Sequence, residues 1–200
     1  AGIFKRMQFA SVELFTLADG FITDLHVGLK GTMNAIQLKQ IAAKVRRGQR
    51  GRIEAGKSAG GNAFGYDVVR KIDSEGNLIR GDRTINEAQA AIIIRILEDY
   101  AAGHSPKAIA QRLNKEKIES PSGKGWTQST LNGNRKRGTG ILNNELYIGQ
   151  LVHNRLRYLK APDTGKRVSR LNPENEWLRK DVPDLRIVEQ DLWNEVKARQ

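Results

Sequence analysis

The sequence predicts a mainly α protein with small β elements, an α+β fold in which one long helix precedes a helix-turn-helix-like domain carrying β-hairpins. Three observations carry this expectation. Residues 24–57 place apolar side chains at helical spacing, and no proline interrupts the chain before Pro106. Three later helices carry start signals at Asn86, Ser105 and Thr127. Short apolar runs flank turn sequences at 73–77 and 162–165, the pattern of hairpins.

Charge narrows the partners. The 200 residues hold 34 Lys and Arg against 22 Asp and Glu, a net charge of +12, so a polyanion is the first partner to expect. Each phosphate neutralised by a cation releases counterions and adds affinity that is independent of sequence. Hydrophobic residues make up 38% and aromatics 6%, enough for modest cores only. Cysteine is absent, which excludes disulfides, thiolate zinc sites and a cysteine nucleophile within these residues. His26, His104 and His153 are scattered, with no metal-binding spacing. No apolar run approaches the roughly 20 residues of a membrane span, and the N-terminus does not read as a signal peptide. The expectation is a soluble, cytoplasmic protein with no cofactor, no metal, no membrane and no small-molecule substrate. The first residue is Ala1, inside what reads as a structured element, so a piece of a longer protein is expected.

The first element, IFKRM, reads as the close of a helix, and Gln8 to Leu17 alternates as a strand would. The long helix follows. Its first half carries Leu25, Leu29, Met33 and Ile36, then Ile41 and Val45, and the first four are expected at a subunit interface. Burial on its own domain is the alternative. Gly28, Gly31, Gly48 and Gly51 each weaken a helix by roughly 1 kcal/mol relative to alanine, and the first two would let a partner helix come close. The second half fills with Lys44, Arg46, Arg47, Arg50, Arg52 and Lys57, opposed only by Glu54, and is expected on a DNA backbone.

Residues 58–65 read as a glycine-rich linker. They lack the P-loop order, so a nucleotide site is not expected. Lys57, Ser58 and Asn62 are candidate contacts along a DNA groove; a solvated hinge is the alternative. Tyr66 to Ile72 reads as a strand, returned by Asp73-Ser74-Glu75-Gly76-Asn77 through Leu78 and Ile79.

Asn86 should cap the next helix, with Gln89 completing a capping box and Ala88, Ile92, Ile96 and Tyr100 facing inward. Ser105 and Pro106 start the second helix, with Ile109 and Leu113 inward. The third begins at Thr127, where Trp126 and Leu131 have hydrophobic-staple spacing. That helix is the expected reader of DNA. Thr127, Gln128, Ser129, Thr130 and Asn132 are types that bond base edges or phosphates, flanked by Lys124 and by Asn134, Arg135, Lys136 and Arg137. Beyond Gly140 a short helix runs into a strand, and LRYLKAPDTGKRVSRL forms a basic hairpin, either a solvated edge or a DNA contact. Trp177 and Leu178 are placed to pack it down. An amphipathic helix, Glu189 to Arg199, ends the chain.

Catalysis needs a nucleophile near a base, paired carboxylates or a metal cluster. None has recognisable spacing. Glu98 and Asp99 are adjacent but read as a solvated helix face.

LADGFITDLHVGLKGTMNAIQLKQIAAKVRRGQRGRIEAGKSAGGNAFGYDVVR resembles the end of the catalytic domain and the linker of large serine recombinases, the resolvase/invertase-type integrases. EAQAAIIIRILEDYAAGHSPKAIAQRLNKEKI, then GWTQSTLNGNRKRGTGILNNELYIGQLVHNR, resembles their recombinase domain. The resemblance implies a resolvase-type strand and long helix over 1–57, a linker over 58–65 and a DNA-binding domain over 66–200. It implies duplex attachment-site DNA as partner, and a homo-oligomer in the parent enzyme, a dimer that becomes a tetramer in the synapse. Such enzymes cut DNA through phosphoseryl links, without metal or ATP. Nothing here matches their nucleophile segment, Ser11 included, and Gln37 and Leu38 stand where many relatives carry a Glu-Arg pair. No catalytic residue is therefore carried over. The cysteine-containing zinc ribbon of larger members has no counterpart here. A non-enzymatic helix-turn-helix regulator is the rival expectation.

Overall fold

The computed structural model describes residues 2–200, and its contacts divide the chain into two units, Ala1–Gly48 and Gln49–Gln200. The architecture is mainly helical with small antiparallel sheets, as expected.

In the first unit, α1 (Gly2–Phe9) closes in a Schellman motif. The Ser11 N–H donates to the Gln8 carbonyl, and the Val12 N–H to that of Met7, with Ser11 left-handed at φ 54°. This corrects the expected strand over Gln8 to Leu17. Gln8 and Phe9 finish a helix whose orphan carbonyls the next residues satisfy, and only Phe15–Thr16 (β1) is extended. β1 pairs with β2 (Gly20–Phe21), and the rings of Phe15 and Phe21 meet edge to face, 5.3 Å apart.

Helix α2 (Asp24–Glu54) has 31 residues and is about 46 Å long. Its expected packing surface is bare: Leu25 is 75% exposed, and Leu29, Met33 and Ile36 are each at least half exposed. Burial of this stripe on its own domain does not occur among the described residues. A Cβ added at any of the helix's four glycines would meet nothing within 4 Å. Ile53, 2% exposed, belongs to the core of the second unit, so the last turn of α2 folds with that unit.

The second unit is built around Tyr66, Ile93, Ile96, Leu97, Ile109, Leu113, Trp126, Leu131 and Tyr147. β3 (Tyr66–Val68) pairs with β6 (Arg83–Ile85), an unanticipated strand, and encloses the small hairpin of β4 (Lys71–Ile72) and β5 (Leu78–Ile79). The single strand expected over 66–72 is thus two, separated by Val69 and Arg70. The turn forms as its sequence implies: the Asp73 carboxylate accepts the N–H groups of Glu75 and Asn77, and Gly76 takes φ 84°. The Tyr66 hydroxyl donates to the carbonyls of Leu146 and Leu185, tying β3 to the C-terminal half. Burial raises the pKa of Tyr66 and pushes that of Tyr147 up to about 12, so both stay neutral donors.

α3 (Glu87–Ala101), α4 (Pro106–Lys115) and α5 (Gln128–Asn132) start where expected, with Asn86, Ser105 and Thr127 accepting the N–H groups of Gln89, Ala108 and Thr130. Two details differ. The buried face of α3 is Ala90, Ile93, Ile96, Leu97 and Tyr100; Ala88 is exposed and Ile92 half-buried, because α3 packs both against α4 and against the helix Gln190–Arg199. The Gln89 side chain accepts the Gly65 N–H rather than reaching back to the Asn86 N–H, which the Gly65 carbonyl takes. Two 3-10 turns (Ile141–Asn143, Glu145–Ile148) lead into β7 (Gln150–His153), paired with β10 (Leu178–Asp181). The basic hairpin forms as β8 (Leu156–Lys160) and β9 (Arg167–Leu171). α6 (Gln190–Arg199) packs on α3, and Arg199 donates to the carbonyls of Tyr100, Gly103 and His104, a cation closing a helix C-terminus.

Candidate nucleic-acid interface

The expected contacts fall into three groups, and the fold treats them differently. In the basic end of α2, the side chains of Lys44, Arg46, Arg47, Arg50 and Arg52 are exposed, and none makes an ion pair among the described residues. Arg46 and Arg50 stand four residues apart on one helix face, where like charges repel by a few tenths of a kcal/mol. An anion along that face would remove the repulsion.

Lys57, Ser58 and Asn62 are largely engaged within the fold. Lys57 pairs with Asp82 at 3.2 Å, and the Ser58 N–H donates to the Gly81 carbonyl. Arg83 donates to the Ser58 hydroxyl at 2.5 Å and to the Gly61 carbonyl at 2.6 Å, while the Asn62 amide donates to the Tyr66 carbonyl. Ala59, Ala63 and Phe64 pack against the core. Gly81 has no room for a side chain: an added Cβ would lie 2.9 Å from the Ser58 carbonyl oxygen. The segment read as a linker is therefore fastened to β6, and the solvated-hinge alternative does not hold. Arg83 does this work and was missed, because Arg-Thr-Ile is too short a run to announce a strand.

The third group centres on α5. Asn114 grips both backbone groups of Trp126, accepting its N–H at 2.7 Å and donating to its carbonyl at 2.8 Å. The Trp126 indole donates to the Ile118 carbonyl, and Phe64 meets it edge to face. This clamp fixes where α5 starts. The Thr127 hydroxyl lies 2.9 Å from that of Ser129 and 2.8 Å from that of Thr130, so three of the expected contacts bond one another. Gln128 and Asn132 are exposed, and their amides are unengaged among the described residues. Lys124 is exposed just ahead of the helix.

After α5 the chain makes a tight turn. Gly133 (φ 48°) and Gly140 (φ 88°) pass so closely that a Cβ on Gly133 would sit 1.9 Å from the Thr139 carbonyl oxygen. The Asn134 side chain accepts the Arg137 N–H, which makes it a turn residue, while Arg135, Lys136 and Arg137 stay exposed and without ion pairs among the described residues. Buried Asn143 holds the turn from beneath, donating to the carbonyls of Asn132 and Thr139. Lys197 on α6 donates in turn to Asn143 Oδ1 at 2.7 Å and to the Leu142 carbonyl at 2.5 Å. Burial first, then nearby Arg135 and Arg155 against Glu145, pulls its pKa down to about 8. Arg155 packs over Gly138, pairs with Glu145 at 2.7 Å and lies over the Trp177 ring. These supports act across long sequence separations, and no local signal marks them.

No cluster of His, Asp and Glu suited to a metal is present among the described residues, and no described helix is long and apolar enough to cross a membrane.

Three capped helices, the last of them polar and fixed at both ends, and cations on the following turn that are unpaired among the described residues define a basic trihelical arrangement. The family model for the Recombinase domain of large serine recombinases matches residues 87–200, more than half of the chain, and the chain belongs to that family. Membership assigns it a part in site-specific DNA recombination. No curated protein matches the chain.

Proposed function

We propose that this chain is the DNA-binding part of a serine site-specific recombinase and holds one half-site of duplex attachment DNA during integration or excision. The observation that carries the reading is the pairing of unneutralised cations with free amides. Arg135, Lys136 and Arg137 are exposed beside Gln128 and Asn132, on a helix that Trp126 and Asn143 fix from both ends. Cations of this kind set register on phosphates, and amides read base edges. The exposed arginines of α2 extend the footprint along the backbone, and Lys124 adds to it. Thr127, Ser129 and Thr130 shape the helix start, and their two mutual bonds leave one of the three hydroxyl protons for a phosphate.

The division of labour proposed is the one the resemblance implies, with the last turn of α2 folded into the second unit. Residues 1–57 are the end of a catalytic domain with its linking helix, 58–65 the passage fastened to β6, and 66–200 the DNA-binding domain. Leu25, Leu29, Met33 and Ile36 form the seam with a second copy. Selection of bound duplexes from a random pool tests the proposal. An enriched motif is the expected outcome; recovery of unselected sequences would leave only nonspecific binding and remove the role of Gln128.

A further inference from the structure

The β8–β9 hairpin carries five cations, Arg157, Lys160, Lys166, Arg167 and Arg170, against one acid, Asp163. None of the five makes an ion pair among the described residues. The register sharpens this excess. Arg157 stands directly opposite Arg170, and Lys160 directly opposite Arg167. Successive residues of a strand face opposite sides, so one like-charged pair lies on each face of the ribbon. Like charges directly opposite destabilise a hairpin, and an isolated two-stranded ribbon is marginal to begin with. Scattered lysines would suffice to keep a sheet edge from pairing with another chain. Opposed pairs on both faces exceed that need. Arg167 lies 3.9 Å over the exposed Tyr158 ring, which orients its guanidinium without neutralising it.

The root of the ribbon adjoins the α5 turn. Asn172 closes its base, its N–H donating to the Arg155 carbonyl, and the Trp177 indole donates to the Asn172 carbonyl. Arg155 in turn packs against Gly138, in the turn that carries Arg135 to Arg137. The ribbon therefore starts beside the cations assigned to DNA.

We propose that the β8–β9 hairpin is a second duplex-DNA contact, an arm whose opposed Arg157–Arg170 and Lys160–Arg167 pairs are neutralised by phosphates flanking a groove. The major groove, about 12 Å wide, admits a two-stranded ribbon. The inference rests on the DNA-binding reading above.

The test compares the whole chain, the double variant Arg157→Ala/Arg170→Ala and the double variant Arg135→Ala/Arg137→Ala, each titrated with a duplex at several salt concentrations and each melted without DNA. For the hairpin variant the expected result is an affinity loss of about tenfold and a salt slope shallower by about 1.8, two phosphate contacts at about 0.9 each, with an unfolding midpoint equal to or above that of the parent. A midpoint that does not fall separates loss of a DNA contact from damage to the fold. Lys160→Gln/Arg167→Gln gives an independent second reading from the other face. Unchanged affinity and slope in both hairpin variants, with the α5-turn variant weakened, would overturn the hairpin contact and leave the DNA-binding reading standing. A parent chain that binds no duplex would overturn both.

Discussion

At the scale of single residues, the structure separates side chains that shape the start of α5 from those whose polar groups stay unengaged among the described residues. Thr127, Ser129 and Thr130 bond one another, whereas the Gln128 amide is unengaged among the described residues. Gln128→Ala should therefore cost about 1–3 kcal/mol at a selected site, the worth of a bidentate base contact, and little on random duplex. Competition binding checks this, and equal losses on both would make Gln128 a backbone contact. Lys197 supplies a second prediction. Its folded pKa of about 8 lies below the ordinary 10.5, so between those values the unfolded chain holds a proton that the folded chain has released. Stability contributed by this group therefore rises with pH from about 8 to about 10. The unfolding midpoint of the parent relative to Lys197→Met should climb over that range; a flat or falling difference would contradict it. Caps at Asn86, Ser105 and Thr127 were legible in the sequence because their partners lie three residues away. Gln89, Asn143 and Lys197 were not, since their partners lie up to 55 residues away.

Among the elements, helices with local start signals were read well and short strands poorly. α2, α4 and α5 stand as expected, and the α3 stripe was shifted because its neighbours, not its own period alone, decide which side chains are buried. Gln8 to Leu17 alternates like a strand, yet α1 captures its start through two capping hydrogen bonds. β6 and β10 escaped notice because Arg-Thr-Ile and Leu-Arg-Lys-Asp carry little apolar pattern; their partners define them. For α2, the glycines give a prediction with two signs. Gly28→Ala/Gly31→Ala should stabilise the helix by up to roughly 1 kcal/mol per site, since nothing lies near an added Cβ. If a second copy packs closely there, the same variant should weaken self-association. Helix content by circular dichroism and mass by sedimentation read the two effects separately. Loss of helicity in the variant would contradict the exposed-face reading, and unchanged association would remove Gly28 and Gly31 from the seam.

For the molecule as a whole, charge and motif pointed to a basic recombinase domain, and the match over 87–200 places the chain in that family. The expected site was partly legible. Cations on α2 and on the 135–137 turn remain exposed, while Lys57, Ser58, Asn62 and Asn134 are drawn into internal bonds that only the folded chain reveals. Among the described residues, the first unit leaves an apolar stripe without cover and the second leaves cations without counterions. The most direct test of DNA binding is the affinity of the 200-residue chain for duplex DNA as a function of salt. With Arg46, Arg47, Arg50, Arg52, Arg135, Lys136 and Arg137 on phosphates, these seven alone make log K fall against log salt with a slope of about −6, steeper where the hairpin cations add theirs, and Arg47→Ala/Arg50→Ala makes it shallower by about 1.8. Affinity that stays flat from low to moderate salt would contradict the account.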